Sequence, residues 1–371
     1  MVQKITSPAD TALNELCDHL AQLAPSLERP GAWPADQLRR CGDAGVFEWF
    51  LPGEVGGQEW SAADIAQGYF RLAAACLTTT FVITQLIGAN RRVAGGENNE
   101  LRSRLIPELM RGEQLATVGI SHLTTSRRHL SRPALCFRED ANSILLDGFS
   151  PWVTGADHCN YVLVGAAEEE GGQQVLILVP LDHPGVSIDV PAELVGLSAS
   201  RTGAVRFSAA RVSRDWLVAG PVENVMQGGV GAGTGGIQTS TLAVGLSIAA
   251  VEFLRGECEK REELEPATEK LEAELSTIRQ QLIEVAEGTS SLNIAEVRTR
   301  ANSLVSRAAQ AALVAAKGTG YVIGHPAGRW CREALFFLVW SCPQPVLEAN
   351  LCELAGLEIS GSSDTNRGSQ I

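Results

Sequence analysis

Trp152 and Thr154 lie two residues apart in SPWVTGADHCNYVLVG, residues 150–165, immediately before a strand-like run in a chain with only seven tryptophans. The pair reads either as core filling or as one wall of a cofactor site. Other chemistries have less to build on. The nine cysteines are scattered with no C-x-x-C pair, the pattern of reduced thiols serving mainly as small core residues. The six histidines are equally dispersed and no H-E-x-x-H or carboxylate-rich spacing occurs, so no metal site is expected. The run GGVGAGTGG at 228–236 does not follow a strand in a βαβ context. It reads as a linker or helix entry rather than a dinucleotide fingerprint.

Charge narrows the ligands. A formal net charge of -13 argues against a nucleic-acid or anionic-membrane surface, both of which need a positive footprint. Any anionic ligand must then be held by local donors. The N-terminus MVQKITSPADTALNEL has no apolar signal core, and no run approaches a membrane span, so a cytoplasmic location is expected.

The elements that must position Trp152 and Thr154 fall into three regions. Their order predicts an α+β multidomain chain: helical residues 1–115, β residues 116–222, helical residues 223–360, and a polar, disordered tail over 361–371. In the first region, ADTALNELCDHLAQLA has helical spacing, and ADIAQGYFRLAAACLTTTFVITQLIGA reads as one long buried helix or a pair. Ser61 is placed to cap the second of these segments, after the loop FLPGEVGGQEWS. In the middle, SILLDGF, YVLVGAA, QVLILVP, VSIDV and AVRFSAARV are short β-rich runs, indicating an antiparallel barrel or sandwich. In the last region three long helical segments return, with Leu264, Leu271, Leu275, Ile278, Leu282 and Val285 making one apolar stripe suited to bundle packing.

In this order the chain resembles the acyl-CoA dehydrogenase family along almost all of its length. The resemblance rests on GDAGVFEWFLPGEVGG, RLIPELMRGEQLATVGIS, LLDGFSPWVTGADHCNYVLVGA, GVSIDVPAELVGLSASRTGAVRFSAARVSRDWLVAG and KGTGYVIGHPAGRWCREA. It implies that family's fold, an N-terminal helical domain, a middle antiparallel β-barrel and a C-terminal helical bundle, with FAD as cofactor and a homodimer or homotetramer as the assembly. An acyl-CoA-like substrate and an electron-transfer flavoprotein or flavin reductase as redox partner follow from it.

Residue by residue, the resemblance puts Trp152 against the flavin ring, Thr154 near its reactive N5 edge and Ser121 on its pyrimidine side. Arg261 would reach the FAD pyrophosphate of a neighbouring subunit, with Gly318 and Gly320 near the same cofactor. Several positions depart from the family. His122 and Leu123 bring bulk where glycines are usual, putting close backbone approach in doubt there. Arg127 and Arg128 either meet a phosphate or form a solvated turn. Arg261 sits in a charge run that also reads as a solvated helix face. Leu264, Lys317 and Val314 replace the usual phenylalanine, glycine and glutamine.

The catalytic base is missing from both places where the family carries it. Counting from Arg332-Glu333-Ala334, the usual glutamate falls on Ser341, and the alternative helix position falls on Gly235 or Gly236. A lone hydroxyl is no base at neutral pH. Cys342, His325 and Glu348 are the titratable groups nearby in sequence, each with a structural reading beside the catalytic one. Three functions remain open: an acyl-CoA dehydrogenase with an altered base, a reduced-flavin monooxygenase on the same fold, and an inactive relative with a structural or binding role.

Overall fold

The computed structural model describes residues 3–124, 133–170, 172–228 and 237–357. The stretch from Thr125 to Arg128, Gly235, Gly236 and the tail over 361–371 lie outside the described residues. Five helices come first: α1 (Thr11–Leu23), α2 (Ala35–Asp43), α3 (Ala62–Ala75), α4 (Leu77–Ala94) and α5 (Asn99–Arg111). The long apolar segment is a pair, broken at Cys76, whose extended backbone separates α3 from α4. Ser61 caps α3 by accepting the Asp64 amide, as its position predicts.

The middle region supplies β1 (Ala116–Gly119), the one-turn α6 (Ser121–Thr124), β2 (Leu135–Asp140), β3 (Ser143–Thr154), β4 (Tyr161–Glu168), β5 (Gln174–Pro180), β6 (Val186–Ile188), β7 (Thr202–Ser213) and β8 (Leu217–Val222). They form one sheet ordered β6-β7-β3-β2-β4-β5-β8, with β1 also on β4. The sheet is antiparallel except where β1 and β2 both run parallel to β4. Alternation explains how it is buried. Val162, Val164, Val175 and Ile177 point into the sheet's own core, while Leu163, Leu176 and Leu178 point into a second core shared with α4 and α5. Both faces of β4 and β5 are therefore apolar, which is why YVLVGAA and QVLILVP read as continuous hydrophobic runs.

The last region holds α7 (Ile237–Cys258), α8 (Glu265–Glu287), α9 (Ile294–Ala316), α10 (Pro326–Ala334) and α11 (Gln344–Leu354). Helix α7 is long and apolar enough to cross a membrane by length and composition, but most of it is buried between α3, α8 and α9. One core joins the two helical regions, running from Leu13 and Phe70 through Leu242 to Leu304 and Phe337. In the predicted α8 stripe, Leu271, Ile278 and Leu282 are buried and Leu264, Leu275 and Val285 half-buried. Of the nine free cysteines, four are buried and five half-buried, fewer in the core than expected.

Candidate active site

The strand β3 delivers Trp152 and Thr154. Its register against β7 shifts between Ser150 and Val153, a bulge that re-aims the strand end. Val153 turns into the sheet core with no exposed surface, Thr154 is buried, and Trp152 is left 52% exposed. An indole that open beside a strand end buried on either side is not core filling. Both Trp152 and Thr154 line a cleft of about 790 Å³ bounded by α4, the β domain and the segment after α10.

Thr154 does not stand alone. Its hydroxyl is 3.0 Å from that of Thr202, its cross-strand partner, and the Thr202 hydroxyl is 2.9 Å from that of Ser200. All three are buried and all three line the cleft. Three hydroxyls carry three protons, and two bonds among them use two, so one donor remains for a ligand. Ser121, opening α6, has a buried hydroxyl with no partner and also faces the cleft. Burying such a group unpaired costs about 1–3 kcal/mol, a cost that a ligand acceptor would remove.

The doubt raised by His122 and Leu123 is resolved by where they point. His122 Nε2 donates to the Gly165 carbonyl at 2.7 Å, and burial lowers the imidazole's affinity for a proton, fitting the neutral ring. Leu123 packs on Gly165, where an added Cβ would come within 2.3 Å of it. The bulk goes into the sheet, leaving Ser121 and Thr124 on the cleft side. On the opposite wall, Gly196 lets the loop before β7 rest on α10: a Cβ there would lie 2.7 Å from the Arg332 carbonyl oxygen.

Ser341 does line the cleft. It sits at φ 45°, in the left-handed region, at the end of a turn held from behind by α9. Arg298, 1% exposed, donates to the Trp340 carbonyl at 2.5 Å and the Ser341 carbonyl at 2.6 Å. Asn302 holds the Phe337 carbonyl at 3.1 Å. Beside Ser341, Trp340 stacks on Phe336 at 5.1 Å, and Phe81 of α4 meets both rings edge-on at 4.8 and 5.1 Å. This end of the cleft is aromatic.

None of the three titratable neighbours considered from the sequence lines the cleft. His325 Nδ1 accepts the Ala327 amide as the cap of α10. Glu348 accepts from Gln344, one turn away on α11. Burial raises the Cys342 thiol's pKa, away from a thiolate. Glu333 is buried against Thr78 and Arg329, and burial pushes its carboxyl up to about 7, but it too is outside the lining. No carboxylate or imidazole lines the cleft among the described residues.

Arg261, Gly318 and Gly320 form a separate group, away from the cleft. Arg261 pairs with Glu257 and donates to the Ala315 carbonyl at 2.7 Å, tying it to the end of α9. The turn that follows, Lys317–Tyr321, contains both glycines. Lys317 has φ 54° and ψ -151°, a conformation favouring glycine, the residue expected there from the resemblance. Sequence reasoning missed Arg91, Arg92, Phe81 and Gln238, which line the cleft. For the arginines the signal was an Arg-Arg pair inside an apolar helical run.

Residues 8–113 match the family model for the acyl-CoA dehydrogenase N-terminal domain. Over 346 residues the chain is 21% identical to the "Probable acyl-CoA dehydrogenase YngJ" of Bacillus subtilis (strain 168), covering 88% of this chain and 90% of that one. It is 22% identical over 356 residues to the mitochondrial short-chain specific acyl-CoA dehydrogenase of Bos taurus, covering 87% and 84%. Among solved structures, the glutaryl-coenzyme A dehydrogenase glutaryl-CoA complex aligns with a TM-score of 0.78 at 16% identity, covering 94% of this chain and 96% of that one. KijD3 in complex with FMN and a dTDP-sugar aligns with a TM-score of 0.71 at 18% identity, covering 94% and 93%. Fold, N-terminal match and near full-length relatives agree: residues 8–113 match the acyl-CoA dehydrogenase N-terminal domain, and the whole chain is similar to acyl-CoA dehydrogenases and shares their fold.

Proposed function

We propose that the protein is an FAD-dependent oxidoreductase of the acyl-CoA dehydrogenase type, acting on an acyl-CoA or related thioester. The observation that carries this is the donor set on one wall of the cleft: the orphaned Ser121 hydroxyl, the spare proton of the Thr154, Thr202 and Ser200 chain, and the half-exposed Trp152 indole. These groups fit a flat ring with one apolar face and a polar edge. Flavin bound there supplies a hydride acceptor. Trp152 keeps water from one face, while Thr154, oriented through Thr202, presents its hydroxyl to an electron-rich edge. Phe81, Phe336 and Trp340 offer an apolar wall to the acyl group.

Dehydrogenation also needs an acceptor for the α-proton, and among the described residues the lining contains no carboxylate or imidazole. That same observation favours a second reading, reduced-flavin oxygen chemistry, which requires no such base; loss of turnover is the third. Arg261, Gly318 and Gly320 are assigned to the FAD of a neighbouring subunit in a homodimer or homotetramer. Support comes from their clustering beside the exposed Tyr321, Val322 and Ile323. The proposal includes domains at 1–115, 116–222 and 223–360, an electron-transfer flavoprotein or flavin reductase as partner, and a cytoplasmic location, in keeping with nine free thiols.

Anaerobic titration of the FAD-loaded protein with acyl-CoAs tests the reading. Loss of the visible flavin absorbance supports the dehydrogenase. Retained absorbance, with turnover only when a flavin reductase and oxygen are supplied, supports the oxygenase instead.

A further inference from the structure

Beside the hydroxyls that line the cleft lies an ion pair that does not reach it. Arg201 donates to Asp157 through both Nε, at 2.6 Å, and Nη2, and neither residue is part of the cleft lining. Their side chains are 23% and 22% exposed, and an ion pair still reached by water contributes little to overall stability. Its consequence is local.

Arg201 stands between Ser200 and Thr202, the two residues whose hydroxyls continue the chain from Thr154. Its backbone is left-handed, at φ 49° and ψ 49°. A non-glycine residue keeps that conformation only where its surroundings hold it. Here the Arg201 amide donates to the Ser198 carbonyl at 3.0 Å, its carbonyl accepts the Gly155 amide at 3.1 Å, and its guanidinium is tied to Asp157. The last two contacts anchor it to the turn after β3, the strand that ends in Thr154. Relaxation of Arg201 toward negative φ would turn the Ser200 and Thr202 hydroxyls relative to one another and leave Thr154 without its partner.

The other half of the pair is fixed from outside. Asp157 sits in the one-turn segment Ala156–His158, entered through Gly155 at φ 65°. Trp33, from the chain between α1 and α2, lies over that turn. A Cβ on Gly155 would come within 2.3 Å of its ring, and the same indole stacks on His158 at 4.8 Å. The helical region thus braces the turn that carries Asp157.

We propose that Asp157 and Arg201 are positioning residues for the Thr154 hydroxyl, setting its direction at the flavin without touching the ring. This rests on the flavin reading above, in which Thr154 meets the reactive edge. The pair closes the open end of β3 and β7, so the spare proton of the three hydroxyls is offered from a fixed place.

Two measurements on the whole chain test this. In the flavin-free protein, Asp157→Ala should speed hydrogen exchange at the Gly155 amide by about tenfold or more, the worth of a charge-assisted hydrogen bond, while the amides of β4 keep their wild-type rates. In the FAD-loaded protein, reduced chemically against reference dyes, Asp157→Ala and Thr154→Val should each change the ratio of affinities for oxidised and reduced FAD by about threefold to tenfold, the worth of one hydrogen bond. At about 30 mV per tenfold change for a two-electron couple, the midpoint potential moves by about 14–30 mV. The double variant should match Thr154→Val alone, because the pair acts through that hydroxyl. Asp157→Asn, which keeps an acceptor oxygen facing Arg201 but no charge, should restore most of both. Arg201→Asn, short yet at ease in a left-handed backbone, breaks the same pair if Asp157→Ala does not fold. Unchanged exchange at Gly155, potentials equal to wild type, or shifts that add in the double variant overturn the proposal. So does an Asp157→Asn that behaves like Asp157→Ala, since the effect then belongs to the charge. Protein that takes up no flavin defeats both this inference and the flavin reading; flavin uptake with additive shifts defeats the inference alone.

Discussion

Replacing Thr202 by valine removes a hydroxyl while keeping the shape and β-branching of the side chain. In the structure that hydroxyl joins Thr154, at 3.0 Å, to Ser200, at 2.9 Å. Two hydrogen bonds disappear, and the consequences for the two partners differ. Ser200 has no exposed surface, so its hydroxyl is left unpaired at about 1–3 kcal/mol. Thr154 borders the cleft and can turn toward water there, so its loss is smaller, about 0.5–1 kcal/mol. Thr202→Val should therefore destabilise the flavin-free protein by roughly 2–3 kcal/mol in urea unfolding. Thr154→Val should cost less. The double variant should cost less than the sum of the two, because the Thr154–Thr202 bond is counted twice. A Thr202→Val cost below about 0.5 kcal/mol, or strict additivity, would refute a coupled chain of hydroxyls.

Glu333 predicts a pH dependence. Burial raises its folded pKa from 4.5 to about 7, so the folded protein binds more protons than the unfolded chain between those values, and stability falls as pH rises through that window. The difference is worth about 3 kcal/mol at 1.36 kcal/mol per unit, and Glu333→Gln should flatten the urea-unfolding profile between pH 5 and 8; an unchanged profile would assign the buried site differently. Ser341→Glu puts a carboxylate into the cleft where the resemblance places the family's base, and should create or raise acyl-CoA dehydrogenase activity, by on the order of 10²-fold or more for a positioned base. No gain in a variant that holds FAD would count against that placement.

Much of the architecture was legible because its signals are local. The strands β3, β4, β5 and β7 each show up as β-rich runs between turn residues, and Ser61 marks a helix start by its hydroxyl. The strands β1, β2 and β8 were missed. At four residues, all buried, β1 offers no alternation to detect, and its partner β4 is 45 residues further on. In the site, Trp152, Thr154, Ser121 and Ser341 meet at one cleft, whereas Arg261, Gly318 and Gly320 gather elsewhere. Direction was the hardest thing to read. His122 and Leu123 look obstructive as letters, but one hydrogen bond to the Gly165 carbonyl and one glycine that leaves room for leucine turn both into the sheet. Arg91 and Arg92 went unread, because nothing in FVITQLIGANRRVA says which face of the helix meets an opening.

The most direct test is FAD uptake by the flavin-stripped chain, followed by its visible spectrum and by quenching of tryptophan fluorescence. One FAD per chain is expected, with part of the quenching lost in Trp152→Phe and binding weakened in Ser121→Ala. A colourless protein whose fluorescence and thermal unfolding ignore FAD would contradict the assignment of this cleft to a flavin.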